Sequence, residues 1–414
     1  MNSIKMSQLA ARFGRWRSMG GFRFSQIPVI AVCLLLTGCQ ALRREPPRPG
    51  GTRIGSGAVT LPAQILGNTL IVEAKWDHYG PYHFLIDTGS SVTLVTPDLA
   101  RRYAATDAPP PETPEVRVRS SDGSTAVLPA ATLARIELGS ARFTTVPVLV
   151  YDCSPISEQL GLKIDGVLGF PFFRETLLTL DYPHGRVILR RSTPVPPNLP
   201  GSILPFNNAE KTPIISVRLG SRTLPALVDS GSDETFSLNP AGLAAKFAYG
   251  PTEGPTVVTL TGDRPEQIGR LADTLYIGDY AVPRPVVEIT DEVSAMGGGV
   301  LKFFTVTFDQ NFDRVTFNRD STDTIAVPGR RSTGLSFGKT PAYWRVVGVV
   351  PGSPADAANV ETGDLVTRIN GEPVGSWTAR RYEQLLANAE DIAVTFLNGT
   401  QETVKRLQVV ELVP

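Results

Sequence analysis

Phe84-Leu85-Ile86-Asp87-Thr88-Gly89-Ser90 returns 142 residues later as Ala226-Leu227-Val228-Asp229-Ser230-Gly231-Ser232. In both copies three apolar residues run into an Asp, followed by Thr or Ser, then Gly, then Ser. An apolar strand of this kind drives into an interior, the Gly permits a turn that a side chain would block, and the carboxylate is delivered at that turn. A single Asp near Gly is most simply an Asx-turn residue at a strand end. Two of them, in equivalent places of a duplicated unit, call for a joint explanation.

The duplication extends outward from these motifs. Leu138-Gly139 with Val146-Pro147-Val148 reappears as Ile277-Gly278 with Arg284-Pro285-Val286. Asp165-Gly166-Val167-Leu168, then Phe172-Phe173 and Leu180-Asp181, reads as repeated in Gly298-Gly299-Val300-Leu301, Phe303-Phe304 and Phe308-Asp309. Two homologous lobes are expected, residues 58–192 and 202–320, joined by a Pro-rich stretch over 193–201. Short alternating segments such as Val116-Arg117-Val118-Arg119, bounded by turn-forming residues, predict a mainly β fold. Composition agrees: 38 Gly and 35 Pro in 414 residues, with 42% hydrophobic, exclude a coiled coil and a largely disordered chain. Forty basic residues cancel forty acidic ones, which gives no electrostatic reason to expect nucleic acid as a partner.

Asp87-Thr88-Gly89-Ser90 and Asp229-Ser230-Gly231-Ser232 resemble the active-site loops of the pepsin-like and retropepsin-like aspartic proteases. Ile164-Asp165-Gly166-Val167-Leu168-Gly169 is similar to the apolar-apolar-Gly segment that packs beside such a loop. The resemblance covers about residues 60–320 and implies a bilobal double β-barrel, with Asp87 and Asp229 as a catalytic pair at the junction beneath flap hairpins. It further implies that the Thr88 and Ser230 hydroxyls cross-brace the loops, that Ser90 and Ser232 hydrogen-bond the carboxylates, and that Gly89 and Gly231 supply amides beside them. The chemistry explains the pairing: carboxylates sharing one site cannot both ionise, so one holds a proton while the other acts as a base toward water. No cofactor and no metal is expected, because three His and Cys153 show no ligand spacing. Two departures stand out. Lys302 occupies the place expected for the second lobe's Gly, and neither hairpin tip, Ser120-Ser121-Asp122-Gly123-Ser124 or Thr261-Gly262-Asp263, carries a Tyr. No Gly-x-Ser-x-Gly elbow is present; His83 and His184 read as a strand-surface and a turn residue, and Cys153 as a packed thiol.

Residues 326–414 mix strands with one helix over 378–389 and resemble a small α+β PDZ domain. Gly334-Leu335-Ser336-Phe337 is similar to the carboxylate-binding loop of that family, and Val349 to Ala355 and Gly363 to Gly371 match its bacterial members. The resemblance implies peptide capture by backbone amides and strand pairing; a module that only packs on the protease body is the other reading. Asn359 replaces a Gly common before Val360, a substitution suited to left-handed backbone.

At the amino terminus, Lys5, Arg12, Arg15, Arg17 and Arg23 precede an apolar run from Ile27 to Leu36, too short to span a bilayer comfortably. Residues 1–38 therefore read as an export signal, with Met19 as a second candidate start. Leu36-Thr37-Gly38-Cys39 resembles the lipobox of bacterial lipoproteins, which implies cleavage before Cys39 and its lipidation. Residues 39–57, rich in Pro, Arg and Gly, then form a tether holding the body on the order of 25 Å from the membrane. The expected protein is a monomeric aspartic endopeptidase of the bacterial cell envelope, lipid-anchored with its body in the periplasm and protein or peptide as substrate; Gln40 favours the outer membrane. A catalytically silent lipoprotein that binds peptides is the alternative.

Overall fold

The computed structural model describes residues 48–76, 79–104, 115–119, 123, 125–194, 197–259, 262–340 and 342–414. The expected signal, Cys39 and residues 40–47 of the expected tether lie outside the described residues, as does most of the first hairpin tip. The remainder of the expected tether is not free: Gly51–Arg53 pairs antiparallel with Ala141–Val150, and the Gly50 amide donates to the Thr144 carbonyl at 2.9 Å, so backbone pairing fixes residues 50–53 to the first lobe. Among the described residues no helix is long and apolar enough to cross a membrane.

Each lobe opens with a hairpin turned by a left-handed Gly. In the first, Val59–Leu66 and Thr69–Trp76 pair around Gly67, at φ +62°; in the second, Ile214–Leu219 and Arg222–Val228 pair around Gly220, at φ +57°. The strand Tyr79–Asp87 adds antiparallel to the first hairpin and parallel to Gly166–Gly169. Phe84, Leu85 and Ile86 are buried on both faces, as are Ala226, Leu227 and Val228. That is why these runs are continuously apolar instead of alternating: nothing polar can be tolerated on either side of a covered strand.

A six-stranded antiparallel sheet joins the lobes. Its order is the first half of Val59–Leu66, then Arg186–Arg191, Thr176–Asp181, Thr305–Asp309, Arg314–Asn318 and Ser202–Asn207. At its centre Thr179 faces Thr307, with hydroxyl oxygens 2.9 Å apart and 128 residues between them. Leu177 faces Asp309 while Asp181 faces Thr305, so the same offset of 128 that relates the strands also maps each pair onto the other. A local twofold axis therefore passes between Thr179 and Thr307. Asp181 with Arg186 and Asp309 with Arg314 repeat one ion pair on the two sides of it.

The C-terminal module folds around its own core. Strands Leu335–Lys339, Trp344–Val349, Leu365–Ile369, Asp391–Asn398 and Gln401–Gln408 form one sheet, covered by the helix Ala379–Asn388. Thr378 caps that helix by accepting the Arg381 amide, and Tyr382 packs edge-on against Phe337 and Trp344. Asn359 takes the left-handed conformation its position demands, at φ +53°. The module is seated on both lobes. Thr378 and its helix pack against Gly161 and Ser154–Leu160 of the first lobe, while Val413 is wholly buried with Ile268 and Val286 of the second.

Phe308 lies in the central sheet, fully buried, with its ring 5.5 Å from Phe170 of the opposite lobe. Phe308→Ala is expected to cost about 3–5 kcal/mol, because the lost ring leaves a cavity that two sheets cannot close. Urea unfolding should show a lower midpoint at an unchanged slope; an unaltered midpoint would contradict this assignment of the inter-lobe core.

Candidate active site

Both Asp-bearing loops leave their strands at the lobe junction, and four hydrogen bonds tie them together. Thr88 Oγ1 donates to the Val228 carbonyl at 2.6 Å and accepts the Ser230 amide at 3.0 Å. Reciprocally, Ser230 Oγ donates to the Ile86 carbonyl at 2.8 Å and accepts the Thr88 amide at 3.0 Å. Thr88 and Ser230 are fully buried, so each of these bonds forms without competition from water. The cross-brace implied for the two hydroxyls is thus present in both directions.

The glycines that follow bring backbone against carboxylate. A Cβ on Gly89 would stand 2.5 Å from Asp229 Oδ1, and one on Gly231 would stand 2.3 Å from Asp87 Cγ. Each loop therefore lies directly on the other lobe's acid, an approach that only Gly permits. Asp87 Oδ1 accepts the Ser90 amide at 3.0 Å and Asp229 Oδ1 accepts the Gly231 amide at 3.0 Å. Both aspartates are fully buried. Burial first, and then the charge of Asp229 and a hydrogen bond with it, push the Asp87 pKa well above the usual carboxylate value; amide hydrogen bonds from Gly89 and Ser90 oppose this. Such a pair holds one proton between two acids, which makes an acid and a base available side by side. Tyr182, buried beneath the pair, has its own pKa raised by burial and then by Asp229 and Asp87.

Ser90 hydrogen-bonds the Asp87 carboxylate, as the resemblance implies, but through its backbone amide, while the hydroxyls of Ser90 and Ser232 turn elsewhere. Ser90 Oγ donates to the Val92 carbonyl at 2.8 Å, and Ser232 Oγ accepts the Glu234 amide at 3.3 Å. Their hydroxyls close the loops on themselves, while Asp87 Oδ1 and Asp229 Oδ1 accept backbone amides. The correction concerns the hydroxyls only, since the Ser90 backbone does bond Asp87.

Lys302 also changes meaning. Asp87 stands opposite Gly169 in the parallel pair of the first lobe; in the second, Leu227 and Val228 stand opposite Ala295 and Met296, and the Asp229 amide donates to the Met296 carbonyl at 2.9 Å. The second lobe's Gly is therefore Gly297, not Lys302. A Cβ on Gly169 would meet the Val92 carbonyl oxygen at 2.2 Å and one on Gly297 would meet that of Glu234 at 2.4 Å, so both sites require Gly for the same reason. Ser294-Ala295-Met296 has only one strongly hydrophobic residue, which hid the match; the Gly298–Leu301 helix corresponds to Phe170–Phe173 instead. Lys302 follows the end of that helix as its C-cap residue, exposed, with its ammonium over the Phe303 ring.

Other chemistry-bearing residues fall into structural roles. Burial pushes the Cys153 thiol up to about 12, far from a thiolate at neutral pH. His184 Nδ1 sits 2.7 Å from Asp181 Oδ1, in the turn of its hairpin. Thr261 lies outside the described residues, as do Ser120, Ser121, Asp122 and Ser124. In the C-terminal module, Gly334 adopts φ +91° and donates its amide to Ser332 Oγ at 2.9 Å. Leu335 and Phe337 point into the module core, and Ser336 Oγ accepts the amide of Thr256, on the second-lobe hairpin, at 2.8 Å. Burial lowers the Lys339 pKa to about 8, with Glu383 of the module helix and Glu158 of the first lobe working against it. Gly334-Leu335-Ser336-Phe337, the expected carboxylate loop, thus faces the second lobe through Ser336.

Residues 72–172 match the aspartyl protease family, and residues 345–397 match the PDZ domain family. No protein of curated function matches the chain. The first match contains Asp87 and Gly169; the second contains most of the module sheet and its helix. The chain carries an aspartyl protease domain and a PDZ domain.

Raising an acid's pKa on folding means that the folded protein keeps a proton which the unfolded chain releases at lower pH. Stability is then lost as pH rises from the ordinary carboxylate value through the raised one. Asp87→Asn removes this loss, so its melting temperature is expected to exceed that of the parent at pH 7, with the difference shrinking toward pH 3. Calorimetry across that range checks the sign; an equal or lower melting point at pH 7 contradicts the shared proton.

Proposed function

We propose that the chain is an aspartic endopeptidase, with residues 58–192 and 202–320 as its two catalytic lobes and residues 326–414 as a module for binding polypeptide. The observation that carries this reading is the reciprocal Thr88–Ser230 brace, which sets two buried carboxylates against each other with a raised pKa. A water bound between the acids is the nucleophile. The ionised carboxylate takes its proton as it attacks the peptide carbonyl, and the protonated one donates to the developing oxyanion. Collapse of the tetrahedral intermediate breaks the C–N bond, and the proton taken from water passes to the leaving amine. Both acids come from one chain, so the monomer is sufficient. Cleavage before Cys39 and its lipidation would anchor the body at a bacterial envelope membrane, facing the periplasm.

Asp87→Asn and Asp229→Asn are each expected to lower kcat/KM for an unfolded protein substrate by about 10²–10⁴-fold. The assay spans acid to neutral pH with the purified full chain. Cleavage unchanged in both variants, or absent from the parent at every pH, overturns the reading.

A further inference from the structure

Three acids of the second lobe converge on one guanidinium. Arg330 Nη1 lies 3.0 Å from Glu266 Oε2, 3.4 Å from Glu288 Oε1 and 4.0 Å from Glu234 Oε1. Glu266 and Glu288 are buried on strands that pair with each other, and the Arg330 side chain is only 20% exposed. Burial works against the charge on Arg330, yet Glu234, Glu266, Glu288 and Asp233 hold its pKa above the ordinary value. Carboxylates in such number are tolerated out of water only because a cation is fixed among them.

The two ends of Arg330 belong to different parts of the molecule. Its carbonyl accepts the Leu412 amide at 2.9 Å, and the next two residues pair with Val410–Glu411, so its backbone is part of the C-terminal module. Glu234, in contrast, closes the loop that begins at Asp229. Its amide donates to Ser232 Oγ at 3.3 Å, its carbonyl accepts the Gly299 amide at 2.8 Å, and that carbonyl lies against Gly297. Gly297 follows Met296, whose carbonyl holds the Asp229 amide. The guanidinium is thus linked to Asp229 through Glu234, Gly297 and the Met296 carbonyl.

We propose that Arg330 is a positioning residue for the reaction: acting through Glu234, it fixes the loop that presents Asp229, so the seat of the C-terminal module governs the geometry of the acid pair. The proposal rests on the endopeptidase reading. A cavity of about 220 Å³ lined by Asn68, Glu234, Arg330 and Glu383 adjoins the cluster. It gives the Glu234 carboxylate room to swing away once its cation is removed, taking the loop with it.

Arg330→Met, Arg330→Lys, Glu234→Gln and the double variant Arg330→Met/Glu234→Gln are compared with the parent full chain. The readouts are steady-state cleavage of an unfolded protein and hydrogen exchange over residues 229–236 and 330–340. Arg330→Met should lower kcat about tenfold or more with KM within about twofold, since misplacing a reacting group by a fraction of an ångström costs rate more than binding. It should also speed exchange at 229–236. Glu234→Gln should reproduce both effects, the double variant should be no worse than the worse single, and Arg330→Lys should recover part of kcat. Exchange that rises at 330–340 alone, with kcat unchanged, means that Arg330 only seats the module and overturns the proposal. Losses that multiply in the double variant overturn it as well. A parent that cleaves nothing refutes the endopeptidase reading, and exchange at 229–236 then decides by itself whether Arg330 holds the loop. If Arg330→Met fails to fold, Arg330→Lys and Glu234→Gln carry the same comparison.

Discussion

Two hydroxyl groups, each bonded to the backbone of the opposite lobe, set the terms for everything around them. Thr88 and Ser230 each donate one hydrogen bond and accept one across the junction, and both side chains are fully buried. A loop anchored in this way cannot retreat from its counterpart without breaking four buried hydrogen bonds, at a cost of about 1–3 kcal/mol for each buried group left unpaired. Two negative charges are thereby forced into a space that admits only one. The glycines then follow of necessity, because the brace draws each backbone onto the opposing carboxylate at a distance where no methyl group fits.

The same logic governs the second lobe's contact with the C-terminal module. Thr256 offers its amide to Ser336, and a Cβ on Gly348, which pairs with Ser336, would stand 1.9 Å from Thr256 Oγ1. Val413 fills an apolar gap between Ile268 and Val286, while Arg270 donates to the carbonyls of Val413 and Pro414. Polar, apolar and ionic contacts thus fasten the module at separate points, and it is held as part of the body instead of being carried on a free linker.

Much of this was legible in the residues themselves. The paired Asp motifs stand out because strands covered on both faces must be continuously apolar, so the runs ending at Asp87 and Asp229 repeat the same apolar-apolar-apolar-Asp pattern. The helix capped by Thr378 and the left-handed Asn359 were likewise readable, since local backbone demands restrict residue choice. Gly297 was missed because Ser294 and Ala295, three and two residues before it, are small and carry little hydrophobic signal; the pairing of Leu227 with Ala295 shows the alignment. The turned-in hydroxyls of Ser90 and Ser232 were missed for another reason: a loop can satisfy a carboxylate with amides or with side chains, and sequence does not distinguish the two. Arg330 and its glutamates come from four separated segments, and nothing local marks a charged residue that will be buried.

The inter-lobe sheet and the short covalent connection through residues 193–201 have one more consequence. In an assembly of separate halves, the amount of complete site falls on dilution according to a dissociation constant. Here the effective concentration of one half for the other is set by the connecting chain and does not change with the amount of protein. Dispersal therefore leaves the two lobes facing each other, whatever the amount of protein present.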